Sequence, residues 1–514
     1  MNNLLVLPLL IPAFTAVILI FLKERINLQR IISAISVFVN IAIALIIVYQ
    51  VNTNGIQTLY MGGWLPPYGI VFVADMFAAL LVLTTAVVGA ACLFFSFASI
   101  GEQRERFYYY TFFHFLLTGV FGSFLTGDLF NLFVCFEVLL VASYAMIVLG
   151  GTKVQLRETL KYILVNVISS SLFVAAIAYL YAATGTLNMA HLAIRVAEAG
   201  QDGVMNVIAV LLLLVFSLKA GLLLFFWLPD SYSAPPLAVR ALFGALLTKV
   251  GLYAITRTFS LIFVHDLGLT HTLIGWMAGA TMILGAVGAL AYNDLSRIFN
   301  YNIVISVGFI AFGISVATQD SLNGVVFYLM HDMIAKALLF FLGGMIIAAS
   351  GTEQLRQMGG LIRRYPWTGW MFFILTLALV GVPPLSGFAG KVMMVRSGFG
   401  EQHVALALIA LASSFVVLYS LIKVFQEVFW GGERSEEEVH PLRYKAMMAP
   451  AAVLFVLIIL MGIGAETVNG LVAQAGAVLA DPAEYINAVM KGVDEDGLSN
   501  IVKSHDSVLV DVPE

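Results

Sequence analysis

Apolar runs close to 20 residues long, separated by short polar stretches, recur about fourteen times along the chain. An α-helix of about 20 residues is what crosses a hydrocarbon layer roughly 30 Å thick. The runs cover residues 3–22, 31–51, 74–98, 107–125, 129–149, 159–183, 204–228, 237–263, 272–292, 298–318, 322–349, 367–393, 401–429 and 446–464. The first, Asn2 to Leu22, lacks the basic segment of a signal peptide and reads as a retained helix. The pattern predicts an all-α polytopic membrane protein.

The basic residues follow the same count. Loops after odd-numbered runs carry Lys23, Arg25, Arg30, Arg104, Arg106, Lys153, Arg157, Arg240, Arg297, Arg356, Arg363, Arg364, Arg434, Arg443 and Lys445, with Lys161 at the same face. Loops after even-numbered runs offer Arg195 and Arg396, and the tail adds Lys491 and Lys503. Basic loops stay on the cytoplasmic side, so both termini are expected outside. A miscounted helix would invert the bias downstream, and it never inverts.

Between the runs, residues 52–73 hold Gly62, Gly63, Pro66 and Pro67 beside Trp64 and Tyr68, a mixture suited to the membrane interface. Residues 430–445 contain Glu433 and Glu436 to Glu438, either a solvated loop or a partner contact. An amphipathic interfacial helix is expected through roughly 467–490, with a disordered acidic remainder. Runs four to eight and nine to thirteen enter from opposite faces, as an inverted repeat requires. The expected division is 1–106 for helices 1–3, 107–263 for the first five-helix unit, 264–430 for the second, and 431–514 for the acidic loop, helix 14 and tail.

Composition agrees with this class and narrows the chemistry. The chain is 61% hydrophobic and 11% charged, whereas soluble domains are about a quarter charged. A net charge of −4 gives no basic patch for nucleic acid. The two cysteines, Cys92 and Cys135, fall within apolar runs and supply neither a disulfide framework nor a metal ligand set. No Gly-rich phosphate loop is present, so no cofactor, metal or ATP-driven step is expected.

The candidate chemistry lies in charges placed where hydrocarbon should be. Glu137, Lys219, Lys249, Lys336 and Lys391 each sit well inside an apolar run. A charge at bilayer depth costs about 2.5–3.5 kcal/mol or more, so such groups point to movement of ions or protons. Glu137 lies nine residues beyond Asp128, about 13 Å along a helix. Lys219 is the natural partner for it. Lys249, thirteen residues after Pro236 and about 20 Å deep, is flanked by Gly244 and Gly251. Asp332 and Lys336 share a helix face at i,i+4, which makes Asp332 an accessory group or a neutralising bridge. His331 lies about 140° away from Lys336; it is a proton-path candidate or a packing residue. Lys391 follows Gly381, Pro383, Pro384, Gly387 and Gly390. A helix broken at depth is tolerated where its backbone is buried in protein or lines a wet cavity, and such breaks mark transporter ion sites. Asp75 reads as a helix cap, and Arg257 and Lys423 as side chains reaching toward the interface.

These residues resemble those of the antiporter-like membrane subunits shared by respiratory complex I, membrane hydrogenases and Mrp-type cation/proton antiporters. The marks span roughly 70–430: Phe130 to Glu137; Lys161-Tyr162; Lys219 followed by Trp227-Leu228-Pro229-Asp230 and Ala234-Pro235-Pro236; Lys249-Val250-Gly251 with Tyr253; and Ser386-Gly387-Phe388 before Lys391. The stretches Phe225 to Pro229 and Ala241 to Lys249 have the character of the Mrp branch. Complex I relatives usually carry a histidine two residues before the Trp-Leu-Pro triplet, and here Phe225 stands there. Relatives often place a histidine one turn before the second-half lysine, where this chain has Asp332. The resemblance implies broken seventh and twelfth helices holding Lys219 and Lys391, and membership of a hetero-oligomeric complex in a bacterial cell membrane. The expected function is proton translocation through a Glu/Lys/water path at mid-membrane, exchanged against Na⁺. Two rivals are a proton-pumping subunit of a complex I-like oxidoreductase or membrane hydrogenase, and a scaffold whose charges merely pair helices.

Overall fold

The computed structural model describes residues 2–432 and 441–491. The acidic run Glu433 to Glu438 and the tail beyond 491 lie outside the described residues. The first helices are α1 (Leu7–Ile20), α2 (Ile26–Asn54), α3 (Met76–Ser99), the short α4 (Glu102–Glu105), α5 (Tyr109–Leu125), α6 (Leu129–Val148) and α7 (Lys153–Thr184). They are followed by α8 (Met189–Ala199), α9 (Gly203–Ala220), α10 (Leu228–Ser233), α11 (Leu237–Leu261), α12 (Leu267–Ala291), α13 (Leu295–Val316) and α14 (Gln319–Ser350). The remainder are α15 (Pro366–Val380), α16 (Ser386–Gly400), α17 (Val404–Phe429), α18 (Pro441–Ile463), α19 (Ala465–Ala480) and α20 (Ala483–Met490). Among the described residues twelve helical stretches are long and apolar enough to cross a membrane. Two shorter apolar helices, α5 and α15, bring the crossings to the expected fourteen.

Local chemistry sets the ends of these helices. Asp128, Asp266 and Asp294 each accept a hydrogen bond from the backbone N–H three residues on, capping α6, α12 and α13. Thr152 and Gln155 form a reciprocal capping box that starts α7 well before its apolar run.

Two features differ from the expectation. Residues 57–74 form an antiparallel hairpin, β1 (Gln57–Tyr60) paired with β2 (Val71–Ala74), in the structured interfacial segment expected at 52–73, whose strand pairing the sequence pattern does not indicate. The amphipathic segment is two helices, α19 and α20, because Pro482 interrupts it. Both helices of this segment are tied back to the N-terminal part of the chain: Tyr60 donates to the carbonyls of Val489 and Lys491, and Gln474 donates to Asn52.

The two five-helix units share a backbone signature. Asp128 bridges to Asn188, with Leu129 N–H donating to Leu187 and Met189 N–H to Gly127. Asp294 bridges to Gln354, with Leu295 N–H donating to Glu353 and Leu355 N–H to Asn293. In each case the start of one crossing helix is tied to the end of the next. Between the two bridges the chain crosses five times, through α6, α7, α9, α11 and α12, so they lie at opposite faces. The core between the units is built by α11, α13 and α14, whose membrane-spanning segments are 94%, 94% and 83% buried, against 33% for α17. Of these, α11 carries Lys249 and α14 carries Asp332 and Lys336, while α13 supplies the Asn302 carbonyl that Lys336 meets.

Candidate functional site

α9 ends at Gly221, whose φ of +74° closes the helix in the left-handed region. The chain resumes helical form at Leu228, so the seventh crossing is broken directly after Lys219. Lys219 is 5% exposed. Its ammonium donates to Ser170 Oγ at 3.2 Å and lies 5.0 Å from the Phe136 ring centroid. Ser170 in turn donates to Glu137 Oε1. Glu137 and Lys219 are thus joined through one hydroxyl on α7 rather than by a direct ion pair.

α9 meets α11 at a bare backbone contact. A Cβ added to Gly251 would stand 2.6 Å from Ala220 N, which only glycine avoids. This approach sets Ala220, next to Lys219, against Gly251, two residues from Lys249. Ser217 Oγ and Thr248 Oγ1, flanking the two lysines, are buried without a protein hydrogen-bond partner.

Lys249 and Asp332 are both 0% exposed, and their charged groups lie 2.8 Å apart. The contact is an ion pair rather than a well-aligned hydrogen bond; the ammonium also donates to Gly244 O at 2.9 Å. Lys336, 1% exposed, approaches the other Asp332 oxygen at 3.6 Å and donates to Asn302 O at 2.9 Å. Asp332 therefore serves two lysines, one on each unit. Its own-helix pairing was expected; its pairing to α11 was not. With two cations and one anion, the ionised cluster carries one uncompensated positive charge.

His331 turns the other way. Its Nδ1 lies 2.8 Å from Ser386 Oγ, the first residue of α16. Its Nε2 is buried without a partner. The twelfth crossing is broken between Val380 and Ser386, with Pro383 and Pro384 in the gap. A Cβ on Gly387 would collide with Ala378 O and stand 3.0 Å from His331 Nε2. Lys391, 8% exposed, donates to Val380 O at 3.1 Å and Ser414 Oγ at 2.9 Å. Val380 is the last residue of α15, so the ammonium meets the negative end of a half-helix. Tyr328 links the two groups: its ring lies 5.4 Å from that of His331 and 5.6 Å from Lys391 Nζ.

The secondary candidates divide. Asp75 does cap α3 through Ala78 N–H, but it also holds Arg257 by two contacts of 2.7 and 2.8 Å. Arg257 is 3% exposed and stacks 4.9 Å from the Tyr485 ring, so it is paired inside the protein and does not reach for the interface. Lys423 donates to Tyr292 O. Among the described residues no group of His, Cys, Asp and Glu is arranged to hold a metal ion. Ser170 and Ser414 were missed from sequence, since a hydroxyl in an apolar helix carries no signal of its own.

A polytopic bundle with a lysine at each of two broken helices and, between them, one buried carboxylate shared by two lysines defines a class of ion-translocating membrane proteins. The sequence profile described as NADH:quinone oxidoreductase/Mrp antiporter, TM, matches residues 126–417, and the chain belongs to that family. It is 53% identical over 492 residues to a Na(+)/H(+) antiporter subunit from Bacillus subtilis, covering 96% of this chain and 100% of that one. It is 47% identical over 492 residues to the corresponding antiporter subunit from Alkalihalophilus pseudofirmus, with the same coverage. A chain of the Mrp complex from Dietzia sp. superposes with a TM-score of 0.89 at 28% identity, covering 95% of this chain and 100% of that chain.

Proposed function

We propose that this chain is the proton-translocating member of a hetero-oligomeric monovalent cation/proton antiporter, exchanging H⁺ for Na⁺ across a bacterial cell membrane. The observation that carries the reading is Asp332, fully buried and shared by Lys249 and Lys336. At 2.8 Å and an effective dielectric near 20, one such pair gains about 6 kcal/mol. Removing each ion from water costs several kcal/mol. The terms nearly cancel, so stability alone does not explain why the cluster is charged. The antiporter descriptions of the relatives supply the cation, and their subunit status supplies the partners: other subunits of an Mrp-type complex, with membrane lipid around them.

The path runs from Glu137 through Ser170 to Lys219, past the Ala220–Gly251 contact to Lys249, Asp332 and Lys336, and by His331 and Tyr328 to Lys391. Ser217 and Thr248 offer the polar partners that bridging water needs between Lys219 and Lys249. A proton arriving at one lysine changes the charge felt by the next, so loading and release are electrostatically linked. The breaks at 221–227 and 381–385 let the half-helices shift as the charge pattern changes. The repeated Asp128 and Asp294 bridges support units of 107–263 and 264–430 flanked by 1–106 and 431–514. The basic loops support termini on the outer side.

The test is a pH-gradient measurement in everted vesicles containing the whole complex, with Na⁺, K⁺ or Li⁺ added. Collapse of the gradient on Na⁺ addition is expected. A gradient insensitive to every monovalent cation would refute antiport.

A further inference from the structure

A second set of buried polar groups lies outside this path, among α1, α2, α3 and α5. Ser33 Oγ, both side-chain polar atoms of Asn40, Thr111 Oγ1 and both ring nitrogens of His114 are buried without a hydrogen-bond partner. His114 and Ser33 are 0% exposed, Asn40 2% and Thr111 3%. Six unpartnered polar atoms in hydrocarbon surroundings are costly unless something hydrates them.

Helix geometry brings them to one place. On α5, Leu117 faces Gly89 of α3, and Gly122 faces Leu9 of α1 and Cys135 of α6. At 100° per residue His114 lies about 60° from the first direction and about 80° from the second, on opposite sides. It therefore points between α3 and α1, where α2 runs. On α2, Ser36 accepts from Thr15 of α1 at 2.9 Å, whereas Arg30 reaches Glu105 just ahead of α5 at 2.8 Å. Ser33 and Asn40 fall between these two directions, about 60° and 40° from Ser36, so they face α5. The helices α2 and α5 run parallel, and the Arg30–Glu105–Tyr110 contacts set their register. Ser33 then stands near the level of Thr111, Asn40 near Thr118, and His114 between them. The column spans about 10 Å.

We propose that these four helices enclose a second hydrated site, distinct from the Glu137–Lys391 series, in which a short chain of water molecules is held by Ser33, Asn40 and Thr111 and His114 binds a proton. Water is the ligand that fits, because it supplies both donors and acceptors to a site holding both. The charged and titratable neighbours are few. α1 carries none within Leu7–Ile20. α2 offers Arg30, already paired with Glu105. α3 offers Cys92, and α5 itself Tyr109 and Tyr110. α6 offers Cys135, which faces Gly122 of α5, and Tyr144, while its Glu137 is engaged with Ser170 of α7. α11 brings Lys249 and Arg257, paired with Asp332 and Asp75, and Tyr253, which donates to Phe124 O. Among these neighbours no carboxylate is left to fix a metal cation, which favours water and a proton over Na⁺.

The experiment is deuterium exchange at the imidazole C2 position, read by mass spectrometry on the whole complex in D₂O across pH 4 to 9. A hydrated His114 exchanges with a sigmoidal pH profile, and Asn40→Leu lowers its rate about tenfold while exposed His265 is unaffected. Ser33→Ala, a smaller change, gives the same direction if Asn40→Leu fails to assemble. Absence of exchange at His114 over the interval that fully labels His265 would overturn the proposal. So would exchange unchanged by both substitutions in assembled complex.

Discussion

Lys249 and Lys336 share one carboxylate: Asp332 lies 2.8 Å from the first ammonium and 3.6 Å from the second. Removing it leaves two buried cations facing each other. Breaking a buried ion pair costs about 3–5 kcal/mol, so Asp332→Asn is expected to lower complex yield and abolish exchange. Adding Lys336→Met removes one of the two cations. The double variant should regain yield and thermal stability but not transport. Exchange restored in the double variant would show that the cluster serves only packing.

Ser170 makes a different kind of prediction, because it carries no charge. It donates to Glu137 and accepts from Lys219. Ser170→Ala removes the bridge and leaves a space too small to disturb α7. The exchange rate should fall by about tenfold, equivalent to about 1.4 kcal/mol, with normal assembly by native gel. Ser170→Thr keeps the hydroxyl and should retain most activity. Equal rates in Ser170→Ala and the parent would remove the bridge from the path.

The order of the fold was largely legible in the sequence, because a spanning helix announces itself by length and hydropathy alone. Lys219 and Lys391 were legible for a related reason: a lysine beside Gly or Pro breakers inside an apolar run contradicts the solvent around it. The pairings were not. Asp332 and Lys336 are i,i+4 and could be matched on one helix, but Asp332 and Lys249 meet only after α11 packs on α14. Arg257 and Asp75 are 182 positions apart, and each alone looked like an ordinary helix-end charge. The bridges at Asp128 and Asp294 lie in backbone pairing, which side-chain chemistry does not reveal.

The Arg257–Asp75 pair separates structure from transport. It lies apart from the proton path and ties α11 to α3 beneath Tyr485 of α20. Asp75→Ala, which leaves a buried guanidinium without its anion, should lower stability by about 3–5 kcal/mol. Asp75→Leu with Arg257→Met, replacing both charges by apolar groups, should recover most of that loss. Both effects are read as thermal stability of the purified complex, and exchange per assembled complex should stay close to the parent in the double variant.

Asp128, at the mouth of α6, predicts a pH dependence. Burial holds its carboxyl at about 6, above the ordinary 3.8, although the Asn131 and Phe130 backbone N–H groups oppose the shift. A raised carboxyl favours the protonated folded state, so its contribution is present at low pH and is lost as pH rises through about 6. Asp128→Asn keeps the helix cap without the charge. It should raise stability on the order of 1–3 kcal/mol at pH 8 and leave it unchanged near pH 4. Thermal unfolding of the two proteins at both pH values checks this.

Glu137→Gln is the sharpest discriminator between a proton path and a scaffold. Glutamine keeps the size and still accepts from Ser170, but it cannot be charged. The decisive measurement is Na⁺-driven proton movement in everted vesicles, normalised to assembled complex. If protonation of buried side chains carries the flux, the variant assembles fully and its exchange falls to the vesicle background. Exchange at the parent rate would mean that Glu137 only pairs helices and that protons travel elsewhere.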